Sequence, residues 1–543
     1  MKTIKIFSFC LTLVLALSSC SKSWLDTKMT GSSLTEEEYE QIADINQASV
    51  RGLYVLLYAD QSDDGHTSFG QKSIDMASDM TASDMALVNN LYGWWGEEAA
   101  LQAYKSSRSA TTWYYYYVMI SNANNLIRKF NDVTVEEMTA QDKKDLAQAK
   151  TMRALAYYNL AYLFSPAVDD NVATNYYAQF MNANDLVGTG TGCNYPVCPI
   201  YDGSEKQYDP ETNLLIAQPL ATVAEVYDFV IADLEDAIAL FAECDDARES
   251  KLAVDSDVAK VLLAYAYLQA GAYDVYETEN GNADYFEKAL ALAEDVVATA
   301  PYSILPLEEV LTDGFNDVNT SSWMWGHDVT VESRGGLRSF WGQIDVFTYS
   351  YAWAGSIIGM DQTLWESIAS SDIRKQWFDS SNDGEKKNLN PYNKFFDEDR
   401  GVGQNNIDRE WLQDVVYMRI EEAYLLASEA AWRSGDLAKA KDYLTTLVAQ
   451  RDTVIAPQIA SYDETKFEAY LYENWRVEMW GEGRALRTLK RFCPEMYKER
   501  GKNHYYNLGS GNKVEFNSAT LIFWMPSSEY KYNSNYRQED IEE

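Results

Sequence analysis

The sequence predicts a mostly helical protein, with antiparallel helical hairpins stacked into a scaffold, two large irregular insertions and a few short strands. Three observations carry this. Apolar residues recur at spacings of three and four over long stretches, with alanine where partner helices would touch. Glycine and tryptophan gather in two regions, about 60–111 and 302–410, that show no helical period. Nowhere does strand alternate with helix in the way that builds a parallel sheet or barrel.

The first twenty residues stand apart. Met1-Lys2-Thr3-Ile4-Lys5 is a short positive head, Ile6 to Leu17 is an uncharged apolar run, and Leu17-Ser18-Ser19-Cys20 is a small-residue cleavage site. That order marks residues 1–19 as a secretory signal peptide. The run is too short to span a membrane as a mature helix. Cys20 looks like the cysteine of a bacterial lipobox, whose thiol is acylated and becomes the new N-terminus. One acyl chain anchors weakly and two anchor firmly; a lipobox protein carries at least two, palmitate among them. Residues 20–543 then read as a single tethered domain.

Thr35 is placed as an N-cap with Glu38 at the capping-box position, opening a helix to about Ala59. Trp113 to Phe130 and Asp142 to Phe164 form a first helical pair, the second helix carrying Ala147, Ala149, Ala154, Ala156 and Ala161. Residues 165–220 break the pattern with Pro166, Pro196, Pro199, Pro210 and Pro219 and read as a long loop. Gly188 to Gly192 is no phosphate loop, because no helix opens after it. Cys193 and Cys198 flank a short loop and, in an oxidising compartment, are expected to pair. Thr222 to Phe241, Asp255 to Ala270 and Asp284 to Ala298 are the next helices. Trp411 to Trp432 reads as one helix, with Leu412, Val416, Ile420, Ala423, Ala427 and Ala430 on one face. Gly435 stops it, and Asp436 caps its mate, Leu437 to Arg451. Thr465 to Phe492 is the last long helix. The scaffold thus spans about 112–164, 222–300 and 411–493. Recurring hairpins with alanine contacts, best seen in Arg433 to Ala440, are tetratricopeptide-like.

Composition narrows the function. The net charge is −38, and losing residues 1–19 removes Lys2 and Lys5 but no acid. Such a body repels nucleic acid and anionic lipid. The three histidines, His66, His327 and His504, lie far apart, and no zinc-protease, nucleophile-elbow or Walker motif occurs. A carboxylate pair for glycoside hydrolysis stays open, since 83 acids always allow some pair. Asp379, Ser381 and Asp383-Gly384 begin like a calcium loop, but the twelfth position is Asn390, so a solvated turn is expected. No metal, cofactor or catalytic residue is assigned.

Binding has the better physical case. The chain holds 39 tyrosines and 15 tryptophans, residues that offer flat apolar area with a polar handle at little entropic cost. Two clusters fall outside the helices. One is Tyr92-Gly93-Trp94-Trp95, beside Asn89, Asn90 and Glu97. The other runs from Arg338 to Trp353 and holds Phe340, Trp341, Tyr349 and Tyr351, with Gln343 and Asp345 as polar partners. Any one of these rings can equally fill space between loops and scaffold. At least two are expected to line a binding face.

Several stretches, in order, resemble the SusD/RagB family of outer-membrane nutrient-binding lipoproteins. They are Trp24-Leu25-Asp26 after the lipobox, Trp113 to Ile127 with Ala149 to Tyr158, Val415 to Ala430, Arg476-Val477-Glu478-Met479-Trp480-Gly481-Glu482-Gly483-Arg484, and the closing Pro526 to Glu529 and Tyr536-Arg537-Gln538. Asn474-Trp475 stands where the family has Glu-Arg, and Thr488 where it has aspartate. The resemblance implies a SusD-like fold and a lipid-anchored protein on the outer face of the outer membrane. It implies a non-enzymatic lid over a SusC-like TonB-dependent transporter barrel, capturing an oligosaccharide or, in some branches, a peptide. The position of Tyr92 to Trp95 resembles the family's first glycan-binding loop. The residues expected to bind ligand are Asn89, Tyr92, Trp94, Trp95, Arg338, Trp341, Tyr349 and Trp353. A helical-repeat interaction scaffold and a surface hydrolase are the alternatives from other classes.

Overall fold

Side-chain caps start the scaffold helices. Thr139 and Thr222 each form a capping box, with Asp142 and Glu225 three residues on, and Asp436 and Asp463 accept from the backbone of Lys439 and Lys466. The computed structural model describes residues 45–59, 65–101, 107–165, 195–205, 216–244, 250–272, 283–381, 384–396, 411–492, 497–508, 512–515, 521–526, 528–529 and 533. The leader, Cys20 and Cys193 lie outside them. Cys198 is buried and has no disulfide partner among the described residues. Residues 49–543 form one unit.

The elements run α1 (Ile45–Val55), α2 (Gln71–Thr81), β1 (Met85–Leu87), α3 (Gly96–Ala99), α4 (Ser107–Ile127), α5 (Ala140–Phe164), β2 (Pro196–Pro199), β3 (Leu220–Thr222), α6 (Val223–Ala242), α7 (Ser256–Ala272) and α8 (Ala283–Thr299). There follow β4 (Trp323–His327), α9 (Phe340–Ile344), α10 (Tyr351–Ala354), β5 (Ile358–Met360), α11 (Gln362–Ser367), β6 (Val415–Arg419), α12 (Ile420–Arg433), α13 (Leu437–Val448), α14 (Glu464–Glu478), α15 (Ala485–Phe492), β7 (Tyr497–Glu499) and β8 (Lys513–Glu515).

The scaffold is a stack in which α4 packs on α5, α5 on α6, α6 on α7, α7 on α8, α8 on α12 and α12 on α13. Alanine makes it possible. Ala147, Ala149, Ala154, Ala156 and Ala161 on α5 and Ala423, Ala427 and Ala430 on α12 are fully buried, so neighbouring helices sit close. The described strands pair only in antiparallel twos: β1 with β5, β2 with β3, β4 with β6 and β7 with β8.

Two expected helices are divided. Residues 415–419 are strand β6 and not the first turns of a helix over 411–432; β6 pairs with β4, Trp323 lying opposite Arg419. Val415, Val416 and Tyr417 are β-branched or aromatic and suit a pleated surface. Thr465–Phe492 is likewise split into α14 and α15. Gly481 (φ 78°) and Gly483 (φ 75°) sit between them in the left-handed region, and a Cβ on Gly483 would strike the Asp75 carboxylate.

The region 60–111 also holds more order than its sequence suggests. Helix α2 is polar yet buried along its whole length. Its Asp79 accepts backbone N–H bonds from Gly481 (3.0 Å), Gly483 (3.2 Å) and Ala485 (3.0 Å). Burial, aided by the charge of Asp75, lifts the Asp79 carboxyl to about 7 against those bonds.

Beside it lies a buried ionic network. Glu478 takes Arg419 Nη1 at 2.7 Å, Arg451 Nη2 at 3.0 Å and Arg374 Nη1 at 3.0 Å, and Glu482 takes Arg419 Nε and Lys394 Nζ, both at 2.9 Å. Burial pulls the Glu478 carboxyl up, but the three guanidiniums outweigh it and hold it well below the carboxylate range. Asn474 joins the network, accepting from Arg374 Nη2 at 2.8 Å, while Trp475 lies under the guanidinium of Arg491. The two departures from the family's Glu-Arg are therefore absorbed into the core.

Candidate functional site

The three-residue pair β1–β5 builds the site. Met85 lies opposite Met360 and Leu87 opposite Ile358. Val88 N–H extends the pairing to the Ile357 carbonyl at 2.8 Å. Because the strands are antiparallel, the end of β1 lies beside the start of β5. The loop leaving β1 (88–95) and the loop entering β5 (345–357) are thereby set side by side, although Leu91 and Ser356, one from each, are 265 residues apart in sequence.

Short-range hydrogen bonds shape both loops. Asn90 Oδ1 accepts Gly93 N–H at 2.7 Å, and Ser356 Oγ accepts the N–H groups of Leu91 (3.1 Å) and Tyr92 (3.2 Å), bridging one loop to the other. Ser350 caps α10 by accepting Trp353 N–H at 3.0 Å. Asn90 also donates to the Tyr506 hydroxyl at 3.0 Å, so the segment 503–508 braces the first loop.

A ring cluster sits on this frame. Tyr351 is its hub. Tyr92 meets it edge-on at 5.1 Å and Trp94 at 6.1 Å, and its hydroxyl is hydrogen-bonded to His66 Nδ1. Trp94 stacks on His66 at 5.1 Å, and Tyr349 leans on Trp353 at 5.7 Å. Burial and the neighbouring Tyr92 and Tyr349 raise the Tyr351 phenol above its usual range, against the pull of Arg338. Arg338 is half-buried just before α9.

The expected binding residues divide into two sets. Tyr92 (43 % exposed), Tyr349 (43 %) and Trp353 (52 %) present ring area to solvent; Asn89 is exposed and Trp94 half-buried beside them. Trp95 and Trp341 do not present a face, being 1 % and 2 % exposed. Trp95 Nε1–H donates to Gln343 Oε1 at 2.9 Å, and Trp341 Nε1–H to the Gln413 carbonyl at 2.9 Å. Gln343 and Asp345 are buried too. Gln343 ties Trp95 to the His66 carbonyl (2.9 Å) and Asp345 accepts from Trp411 Nε1 (2.8 Å). These side chains hold the loops from beneath. His66 and Ser356 are structural parts of the site that no local pattern marks, since their partners lie 264 to 285 residues away. Chemically the cluster offers flat apolar faces edged by hydroxyl, amide and guanidinium groups. Among the described residues no group of three or more His, Cys, Asp or Glu side chains is placed to hold a metal, and no helix is long and apolar enough to cross a membrane.

The helical stack with its two-stranded antiparallel clips is the SusD-like fold that the sequence predicts. Two family models match successive stretches of the chain: a SusD-like model described as "Starch-binding associating with outer membrane" over residues 23–263, and the SusD family model over residues 346–539. The chain belongs to the SusD/RagB family. Solved structures of the same fold include a SusD-like carbohydrate binding protein from Bacteroides vulgatus (20 % identity, 91 % of this chain and 96 % of that one, TM-score 0.65). A SusD superfamily protein from Bacteroides thetaiotaomicron (20 % identity, 91 % and 98 %, TM-score 0.65) and one from Bacteroides fragilis (17 % identity, 91 % and 98 %, TM-score 0.64) share it. No curated protein sequence matches the chain.

Proposed function

We propose that this chain captures an oligosaccharide at the outer membrane and delivers it to a SusC-like TonB-dependent transporter barrel, acting as a binding protein and not as an enzyme. One observation carries the reading: Tyr92, Tyr349 and Trp353, from loops far apart in sequence, expose their rings in one cluster on a fixed frame. Sugar rings dock their C–H faces on such planes, while the amide of Asn89 and the guanidinium of Arg338 would meet hydroxyls. The family's outer-membrane association and the carbohydrate-binding name of a structural relative support it. Acylation at Cys20 would hold the body at the membrane surface.

The test is a glycan array probed with the purified protein. Tyr92→Ala/Trp353→Ala is expected to lose the signal at least tenfold with an unchanged melting temperature. Trp95→Ala and Trp341→Ala are expected instead to unfold more easily, by about 3–5 kcal/mol each, the cost of a buried tryptophan. Binding that survives the double change, or turnover of a bound glycan, overturns the reading.

A further inference from the structure

A small crevice of about 40 Å³ lies beneath the segment 329–339. One water takes roughly 30 Å³ of liquid, so the space suits a group of a few heavy atoms and not a sugar ring. Its floor is buried and aromatic, made by Phe69, Phe340, Trp341, Trp411 and Tyr417, and its rim is exposed or half-buried. Short bonds set the rim: Ser333 Oγ accepts Thr330 N–H at 2.9 Å, the Gly335 carbonyl accepts Arg338 N–H at 3.0 Å, and Ser339 Oγ donates to the Gly336 carbonyl at 2.6 Å. The floor rings use their polar atoms elsewhere. Trp341 Nε1–H goes to the Gln413 carbonyl, Trp411 Nε1–H to Asp345, and the Tyr417 hydroxyl to the Leu57 carbonyl. Two polar groups on the lining are served differently. His327 stacks on Tyr58 at 3.9 Å, and its Nε2 is buried with no hydrogen-bond partner among the described residues, a costly state for a polar atom. Lys72 Nζ lies over the Phe340 ring at 5.2 Å and is held at long range, by the Gly481 carbonyl at 3.4 Å and Asp75 at 3.7 Å.

These surroundings select the occupant. A hydrocarbon group covers the rings but leaves His327 Nε2 unmatched. A charged group meets nothing that calls for it: burial pushes the His327 pKa down to about 4 against the pull of Asp328, so the ring is neutral, and the Lys72 ammonium already faces Asp75, Asp79 and Glu482. An acetyl group meets both demands, its methyl lying on the rings and its carbonyl accepting from His327 in the Nε2–H tautomer. The crevice adjoins the aromatic loops through α9: Phe340 and Trp341 wall it, while Gln343 of the same helix binds Trp95 and the His66 carbonyl. Arg338, on the rim, is near enough to Tyr351 for its charge to act on that phenol. We propose that this crevice is an acetyl-recognising pocket at the edge of the binding face, selecting N- or O-acetylated glycans. The proposal rests on the oligosaccharide reading above and names the class of sugar.

The test compares matched glycans on the full chain. Chito-oligosaccharides are set against cello-oligosaccharides for the N-acetyl group, and acetylated xylo-oligosaccharides against their alkali-deacetylated forms for the O-acetyl group. In at least one pair the acetylated member is expected to bind about tenfold more tightly. His327→Phe keeps a ring on Tyr58 and removes the donor, so it should level that pair without weakening the unacetylated member. His327→Gln, which restores an N–H, should recover part of the difference. The acetylated member should also slow amide exchange in 328–339 of the wild-type chain more than its partner does, a readout that needs no variant to fold. Tyr92→Ala/Trp353→Ala should lose both members alike. Equal binding within both pairs, or a preference that ignores His327→Phe, overturns the pocket and leaves the capture reading standing. So does a chain that binds other glycans and neither acetylated probe. A blank array for the wild-type chain overturns the pocket and the capture reading together.

Discussion

Residue identity says little about role until the surroundings are known. Trp95 and Trp353 are the same side chain in similar loop sequence, yet one is sealed under the site and the other stands above it. His504 illustrates the same point electrostatically. It donates from Nε2 to Asp361 at 2.9 Å and accepts at Nδ1 from Arg500 Nε at 3.2 Å, so it is held as the neutral ring. Burial above all, with Arg500 adding to it, pushes its pKa down to about 4, while the Asp361 carboxyl falls to about 2 as its bonds and nearby charges outweigh burial. An unfolded histidine takes up its proton near pH 6.5. As pH falls from 6.5 to 4 the unfolded chain gains a proton that the folded chain refuses, so stability is lost through that window, by about 3 kcal/mol from this residue. His504→Gln should flatten the slope of stability against pH between 6.5 and 4 in calorimetric melts. An unchanged slope would show that His504 does not control it.

At the scale of elements, the clip β1–β5 is the part on which the site depends. Gly359 has no room for a side chain: a Cβ there would run into the carbonyls of Asn388 and Leu389. Gly359→Ala should cost about 1–3 kcal/mol by overpacking and release the two loops from one another. Chemical denaturation should show the loss, and glycan binding should fall with it, whereas full binding at reduced stability would separate clip from site. The clip is also where sequence reading stops. Helices are legible because alanine contacts, Thr222 and Asp436 caps and the Gly435 stop are local signals with a fixed period. A three-residue strand such as β1 has no period to read, and its partner is known only once the chain has folded. Helix α2 escapes for a related reason: Lys72, Asp75 and Asp79 look like loop chemistry until Gly481 and Arg484 are seen against them. The strand β6 reads as helix because Leu412, Val416 and Ile420 continue the spacing of α12.

Across the whole molecule, the family match falls in two stretches, and the buried charges are where distant parts of the chain lock together. Residues 72–79, 374, 394, 419–422, 451 and 474–484 meet there. Removing one partner of such a cluster strands the others without water. Glu478→Gln leaves Arg374, Arg419 and Arg451 short of a counter-charge, so it should destabilise the protein by about 3–5 kcal/mol, read as a lower denaturation midpoint. A midpoint within error of the parent would mean that Glu482, with Asp372 paired to Arg374 at 2.6 Å, suffices.

The seam between Met85–Leu87 and Ile358–Met360 has a bearing on inheritance. It joins a piece of the chain covered by one family model to a piece covered by the other, so the proposed binding face belongs to neither half alone. Recombining the front of one such gene with the back of another would preserve every helix and still scramble the aperture, unless both rims of the seam travelled together.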